Sequence, residues 1–289
     1  MIKYQADEHP LVPTDGFRSR EEYALYLIHV AAYEEAARLA SGKRVLDLGC
    51  NNGYGTERVA RAAVRAAGVD VSSQSIEAAR QRESARNIEF RVIDGTRLPF
   101  DDETFDLVIS FQVIEHIADY TPYLSEIKRV LASGGSVIFT TPNGPLRLDP
   151  GMKPWNPFHV REFSSSELRD LLAEWFPKVV IRGLFAGDEL YDVEFRRMQR
   201  SRENARRRYA LEAQLSYRLK QSFVRVLRGV VPAPVRARIR SAVGAEKTAA
   251  TGPDPRVQSF IDRHSTADLF YRNDELDRAL DLMAICTKS

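Results

Sequence analysis

The chemistry legible in this chain begins with acidic residues set at the ends of short apolar runs. In Lys43–Thr56, KRVLDLGCNNGYGT, Asp47 stands near the end of the run Val45–Leu48, and Gly49, Gly53 and Gly55 follow. A glycine-rich turn between a strand and a helix N-terminus can cradle a nucleotide, because backbone without a Cβ approaches a ligand closely. The alternative is an ordinary tight strand-to-helix turn. The spacing is D-x-G-x-x-x-G-x-G, not the G-x-G-x-x-G of a pyrophosphate cradle, which is therefore the weaker reading. A second acid, Asp70, falls 23 residues after Asp47. A carboxylate about 20 residues beyond such a loop can accept from both ribose hydroxyls, since it offers acceptors only. Cys50 lies inside the turn, where its small apolar side chain reads as packing rather than as a nucleophile.

The elements that must hold these residues alternate along the chain. Residues 17–40 read as one or two amphipathic helices, with Tyr23, Leu27, Val30 and Ala31 at helical spacing and Ser41-Gly42 as the stop. Val45–Leu48 is a buried strand, and a helix opens at Thr56-Glu57 and runs through Arg58–Ala67. Short strands follow over Ala66–Val71, Asn87–Val92, Leu107–Ser110, Ser136–Thr141 and Lys178–Leu184. Between them lie helical stretches, one carrying Glu115-His116, one over Leu124–Leu131 and one capped by Ser164–Ser166 with Glu167 in its first turn. Strands alternating with helices predict a doubly wound α/β sheet.

Four stretches carry a family resemblance. The glycine turn, LPFDDETFDLVISFQVIEHI at residues 98–117, KRVLASGGSVIFTTPN after it, and NPFHVREFSSSEL at residues 156–168 together resemble class I S-adenosylmethionine-dependent methyltransferases. They look most like a bacterial branch acting on glycans, lipid-linked saccharides and natural products. HVAAYEEA, just before the first strand, is similar to the segment that precedes it in that branch. The resemblance implies a seven-stranded Rossmann-like sheet whose last strand runs antiparallel between the fifth and sixth. Its only good candidate is Leu282–Thr287, preceded by a helical stretch NDELDRALD. The chain then divides into a helical cover over 1–40, a cofactor-binding catalytic domain over 41–186 plus 270–289, and an insertion over 187–269. Within the insertion, long helices are expected over about 188–228, then a hinge at VVPAPVRAR and a mobile Gly/Ala/Thr/Pro-rich linker over 243–256.

By the same resemblance, Asp47, Gly49, Cys50, Asn51 and Gly53 contact the cofactor, and Asp70 with Val71 holds its ribose. Asp94 meets the exocyclic amine of adenine, with Gly95 and Thr96 lining the ring and Phe111 beside it. Tyr33 covers the cofactor or stays a core tyrosine. Two positions depart from the family pattern. Asn51 replaces a loop glycine, which a residue tolerant of left-handed backbone should survive, and Gln112 stands where many relatives carry Glu.

The implied reaction is methyl transfer from a sulfonium, for which the protein must bind the donor, align a nucleophile behind the methyl and exclude water. An oxygen nucleophile of high pKa would want a general base, and His116 and His159 are the candidates, with positioning roles as the alternative. No N/D-P-P-Y/F follows the fourth strand, which disfavours base-amine nucleic-acid substrates. No carboxylate cluster at metal spacing is visible, so no metal is expected.

Composition bounds the rest. Net charge is +2, and no apolar stretch approaches the ~20 residues of a membrane span. The first residues lack a secretory h-region, and neither Cys50 nor Cys286 has a partner at metal-ligand spacing, so a cytoplasmic setting is expected. Between Arg196 and Arg240 stand 14 Lys/Arg against Glu203 and Glu212, a local balance of +12 that leaves −10 for the remainder. Such a run is a solvated helical face, or a peripheral contact with an anionic membrane at its inner face, for which LSYRLKQSFVRVLRGVV has the interleaved pattern. Nucleic-acid binding lacks the aromatic features that would sharpen it. The reading is O-methylation of a sugar-containing, lipid-linked or other small acceptor. The alternatives are N- or C-methylation, a non-catalytic cofactor-binding protein and a nicotinamide-dependent oxidoreductase. Oligomeric state stays open.

Overall fold

A computed structural model describes residues 12–82, 86–226 and 254–289, without the side chains of 212–226. The apolar runs become strands of one sheet: β1 (Arg44–Leu48), β2 (Arg65–Asp70), β3 (Ile88–Val92), β4 (Phe105–Phe111), β5 (Leu131–Pro142), β6 (Lys178–Ala186), β7 (Leu269–Arg272) and β8 (Asp281–Thr287). Their order is 3-2-1-4-5-8-6-7, with α3 (Ser73–Arg82) following β2 and the short α5 (Gly144–Arg147) following β5. β1 to β5 pair in parallel, and β8 pairs antiparallel with both β5 and β6.

The expected last strand is therefore where the sequence places it, wedged between the fifth and sixth. The expectation of seven strands needs one correction. β7, from the end of the insertion, adds antiparallel to the outer side of β6 and makes eight. The turn at Ser133–Gly135 sits within β5 as an irregularity in its register with β4 between Phe105 and Leu107.

Alternation along the strands divides the core into two layers. Val45, Leu107 and Ile109 face α1 (Arg20–Leu39), where they meet Val30, Tyr33 and Ala36. Leu46, Leu48 and Val108 face the other way, onto α4 (Tyr120–Val130) and α6 (Ser165–Ala173) through Leu124, Ile127, Leu168 and Leu172. Ser19 caps α1 by accepting from Glu22 N at 3.1 Å, and Ser164 with Glu167 forms a capping box on α6.

Local expectations fail at three places. The helix after the glycine turn, α2 (Tyr54–Ala60), ends well before Ala67, because Arg65 already belongs to β2. Glu115 and His116 lie in a single 3₁₀ turn, Ile114–His116, not on a longer helix. NDELDRALD holds only a 3₁₀ turn, Leu276–Arg278.

The insertion opens as one helix, α7 (Asp188–Val226), of 39 residues. Its buried Leu190 joins Tyr23 and Leu27 of α1 and Phe260 of α8 (Pro255–Arg263), while Met198 packs with Ile28 and Ala31. The arginines of its first half are largely paired: Arg196 with Asp192, Arg197 with Glu194, Arg200 with Glu21, Arg206 with Asp149 and Arg207 with Glu203. The hinge at VVPAPVRAR and linker residues 243–253 lie outside the described residues, as do the side chains proposed for membrane contact from Leu215 onward; Pro255 and Arg256 already open α8. No described helix is long and apolar enough to cross a membrane.

Candidate active site

Strand order reverses between β1 and β4, and ligands of open α/β sheets bind beyond the carboxyl ends of the strands at such a point. A cavity of about 690 Å³ lies there, within the range that holds a small-molecule ligand. Its wall includes Gly49 and Asn51 of the turn, Asp70 and Val71 at the end of β2, and Gly95 and Thr96 after β3. Phe111, Gln112, Glu115 and His116 after β4 line it too, together with Tyr33, Trp155 and His159.

The turn is shaped by conformation as much as by composition. Gly49 has φ +87° and no room for a side chain, since a Cβ there would lie 2.5 Å from Val113 Cγ2. Asn51 takes φ +47°, the left-handed backbone the sequence asked of it, and its Oδ1 accepts from the backbone N–H of Val12 and Asn52. Asp70 braces the turn, accepting from Asn51 N at 2.9 Å through Oδ2 and from Ser72 N at 2.9 Å through Oδ1. Its carboxylate thus faces the cavity already oriented, with lone pairs to spare.

Four of the residues expected to contact the cofactor stand off the wall. Asp47 is 1% exposed, behind the turn, where Oδ2 accepts from Thr56 Oγ1 at 2.6 Å and Oδ1 from the Tyr33 hydroxyl at 3.4 Å. Burial raises it to about 7, against the lowering effect of those two hydrogen bonds. It holds the turn to the helix layer. Cys50 is buried among Ile76, Ala79 and Phe90, as its packing role requires. Gly53 caps α2. Asp94 is exposed beside the wall, its Oδ1 accepting from Thr96 N at 2.9 Å and Thr96 Oγ1 at 2.7 Å, and these bonds hold it below the usual carboxylate range.

Tyr33 comes from α1. It is a core residue and also part of the cavity wall, packed edge-on to Tyr54 and Phe111.

His116 and His159 come together although far apart in sequence. The backbone carbonyl of Glu115 accepts from Val160 N at 2.8 Å and Arg161 N at 3.2 Å, which folds the 155–161 loop over the 3₁₀ turn. The two rings meet edge to face with centroids 4.8 Å apart. His116 Nδ1 donates to Phe158 O at 3.0 Å, and His159 Nδ1 donates to Glu162 Oε1 at 2.7 Å. Both rings therefore present Nε2 as the acceptor nitrogen, and that of His159 receives Asn156 Nδ2 at 2.9 Å. Glu162 also takes a bidentate bond from Arg147; burial works to raise it, but His159 and Arg147 hold it below the usual range.

Three features escaped the sequence reading. Asp281, the first residue of β8, pairs opposite Pro142 and lands at the functional edge because its strand runs backwards. It accepts from Gln112 Nε2 at 2.8 Å, and burial keeps its carboxyl protonated well above the ordinary range. An antiparallel strand beginning one residue earlier was the available signal. Trp155 lines the cavity under the Arg147 guanidinium, 4.0 Å from its centroid, and its buried Nε1 has no partner among the described residues. Glu115, wholly buried, uses Oε2 for Thr141 Oγ1 at 3.1 Å and leaves Oε1 likewise unpartnered.

A family model described as a methyltransferase domain matches residues 46–139. A probable S-adenosylmethionine-dependent methyltransferase of Mycolicibacterium smegmatis is 35% identical over 178 residues, 61% of this chain and 68% of that protein. A ubiquinone biosynthesis O-methyltransferase of a Chelativorans species is 32% identical over 121 residues, 41% of this chain and 48% of its own length. The matched stretches thus span from about half to two thirds of these curated relatives. Among solved structures, one of a methyltransferase from Thermotoga maritima described as a possible histamine N-methyltransferase superposes with TM-score 0.52. It is 15% identical, over 93% of this chain and 94% of that one, a likeness of fold alone.

Proposed function

The chain belongs to the class I S-adenosylmethionine-dependent methyltransferases, and within that family we propose that it methylates an oxygen of a small hydroxylated, saccharide-containing acceptor. The cofactor fits the cradle: the left-handed Gly49 and the oriented Asp70 are what a nucleoside lying across the strand ends requires. Gly49 and Asn51 would border the amino-acid part, Asp70 with Val71 the ribose, and Gly95 and Thr96 the adenine, with Asp94 at its edge. When bound, S-adenosylmethionine supplies an electrophilic methyl on a sulfonium.

The residues' own work is to seat an acceptor behind that methyl and to help its hydroxyl ionise. The observation that carries the reading is a pair of unpartnered buried atoms on residues that line the cavity, Trp155 Nε1 as donor and Glu115 Oε1 as acceptor. Buried polar atoms are rarely left without partners, and a hydroxylated ligand supplies both kinds. His116 and His159 lie close to Glu115, each with Nδ1 engaged, and an imidazole so held can take a hydroxyl's proton through Nε2. The O-methyltransferase among the relatives is consistent with this chemistry. Membership of the family sets aside the nicotinamide reading.

The test is transfer of radiolabelled methyl to fractionated small-molecule extracts, followed by analysis of the linkage in the product. Label in a methyl ether or ester is expected. Label in N-methyl or C-methyl products alone overturns the assignment to oxygen, and nucleoside binding without turnover on any fraction favours a non-catalytic role.

A further inference from the structure

We propose that Glu115, His116 and His159 form a site for one divalent transition-metal ion on the acceptor side of the cavity. One potential ligand atom from each lies within 4.8 Å of the others. Sequence spacing hides the set, because His159 arrives only when the loop is pinned to the Glu115 carbonyl.

The second observation is independent of the clustering. Glu115 is 0% exposed and lines the cavity, yet its Oε1 has no hydrogen-bond partner among the described residues. Leaving such an atom bare is costly, and more so for a charged group.

The imidazoles are already prepared. Metal-bound histidines donate their other ring N–H to a carboxylate or carbonyl, which fixes tautomer and orientation. Here His159 donates to Glu162 and His116 to the Phe158 carbonyl. An ion taking the His159 Nε2 lone pair displaces the Asn156 amide that now donates to it. Ligand atoms about 2.1 Å from one tetrahedral ion stand about 3.4 Å apart, so on binding the set closes by up to about 1.4 Å. Two imidazoles and one carboxylate suit Zn²⁺, Fe²⁺, Co²⁺ or Mn²⁺ better than Mg²⁺ or Ca²⁺, which prefer all-oxygen sites.

For its role, though not for its existence, the site rests on the O-methylation reading. With both imidazoles ligating the ion, the ion takes the place of a histidine base: it holds the acceptor oxygen as a further ligand and lowers the hydroxyl's pKa, and the proton leaves to bulk water. The oxygen then forms the C–O bond to the methyl carbon, while the C–S bond breaks and its electron pair returns to sulfur.

The full chain, stripped with a chelator and dialysed against Zn²⁺, should retain one ion per chain. Co²⁺ in its place should give the absorption bands of a nitrogen–oxygen site. Glu115→Gln and His159→Ala should each weaken Zn²⁺ affinity at least about 10- to 100-fold, with affinity for S-adenosylhomocysteine kept within about threefold. That control shows the variants folded and reads the nucleoside side separately: wild type failing to bind S-adenosylhomocysteine would strike at the family-level reading instead. Wild type that binds the nucleoside but retains no Zn²⁺, or variants that retain as much as wild type, overturn the proposal. The Co²⁺ spectrum of the wild type decides the matter even where a variant does not fold.

Discussion

On the nucleoside side of the cavity, the bonding partners of Asp70 and Asp94 are close in sequence, although Asn51 also reaches Val12 across 39 positions. Asp70 braces Asn51 from 19 residues away and Ser72 from two, and Asp94 holds Thr96 from two. On the acceptor side they are distant. Gln112 reaches Asp281 across 169 positions, and His116 reaches Phe158 across 42. The first region is one folded stretch of chain whose geometry follows from local backbone preference. The second exists only once the final strand and the 155–161 loop have docked, so its chemistry can change without disturbing the cradle.

Three substitutions on the nucleoside side sharpen that contrast. Asp70→Ala removes the charge-assisted bonds from Asn51 N and Ser72 N, each worth about 1.5–3 kcal/mol, along with the proposed ribose acceptor. Nucleoside affinity should fall about 100-fold by calorimetry, with Zn²⁺ retention unchanged; parallel loss of both would mean the two sides are one unit. Gly55→Ala comes next. An added Cβ there meets the Tyr33 ring at 2.1–2.3 Å, an overpacking expected to cost about 1–3 kcal/mol. Thermal unfolding should show that loss, and most of it should vanish in a Tyr33→Ala background, where the space is open.

The smallest effect concerns Asp47. Its native pKa, about 7, lies above the ordinary 3.8, so the folded state holds the proton longer than the unfolded chain does. Stability should therefore fall as pH rises from about 4 to about 7 and level off above it. Asp47→Asn, which can still accept from Thr56, should flatten that slope by about 1–2 kcal/mol, after allowing for relaxation around the site. A slope unchanged by the substitution would place the titration elsewhere.

The same division governs what could be read from residues alone. The glycine turn and the parallel strands β1 to β5 were legible, because each depends on backbone preference or on strand periodicity within a few residues, whereas the place of the reversed last strand came from the family resemblance. Asp47 was legible as important but not as buried, since its partners Tyr33 and Thr56 come from two different helices. β7 was not visible: four residues, Leu269–Arg272, carry too little pattern to announce an edge strand. Nor could spacing show that a three-residue turn at Ile114–His116 and a loop 40 residues later share one carbonyl. Asp281 was lost to a boundary drawn one residue late.

The position of β8 bears on how the polypeptide emerges from the ribosome. β5 and β6 never touch; they are joined only through a strand made about 95 residues after β6 ends. At roughly 5–20 residues per second, two facing apolar edges wait some 5–20 seconds for their filler. Unpaired edges of this kind invite strands from other chains. Co-translational chaperone capture, or exchange of the last strand between two nascent copies, is the hazard this architecture carries, and a slower-translated insertion should lengthen it.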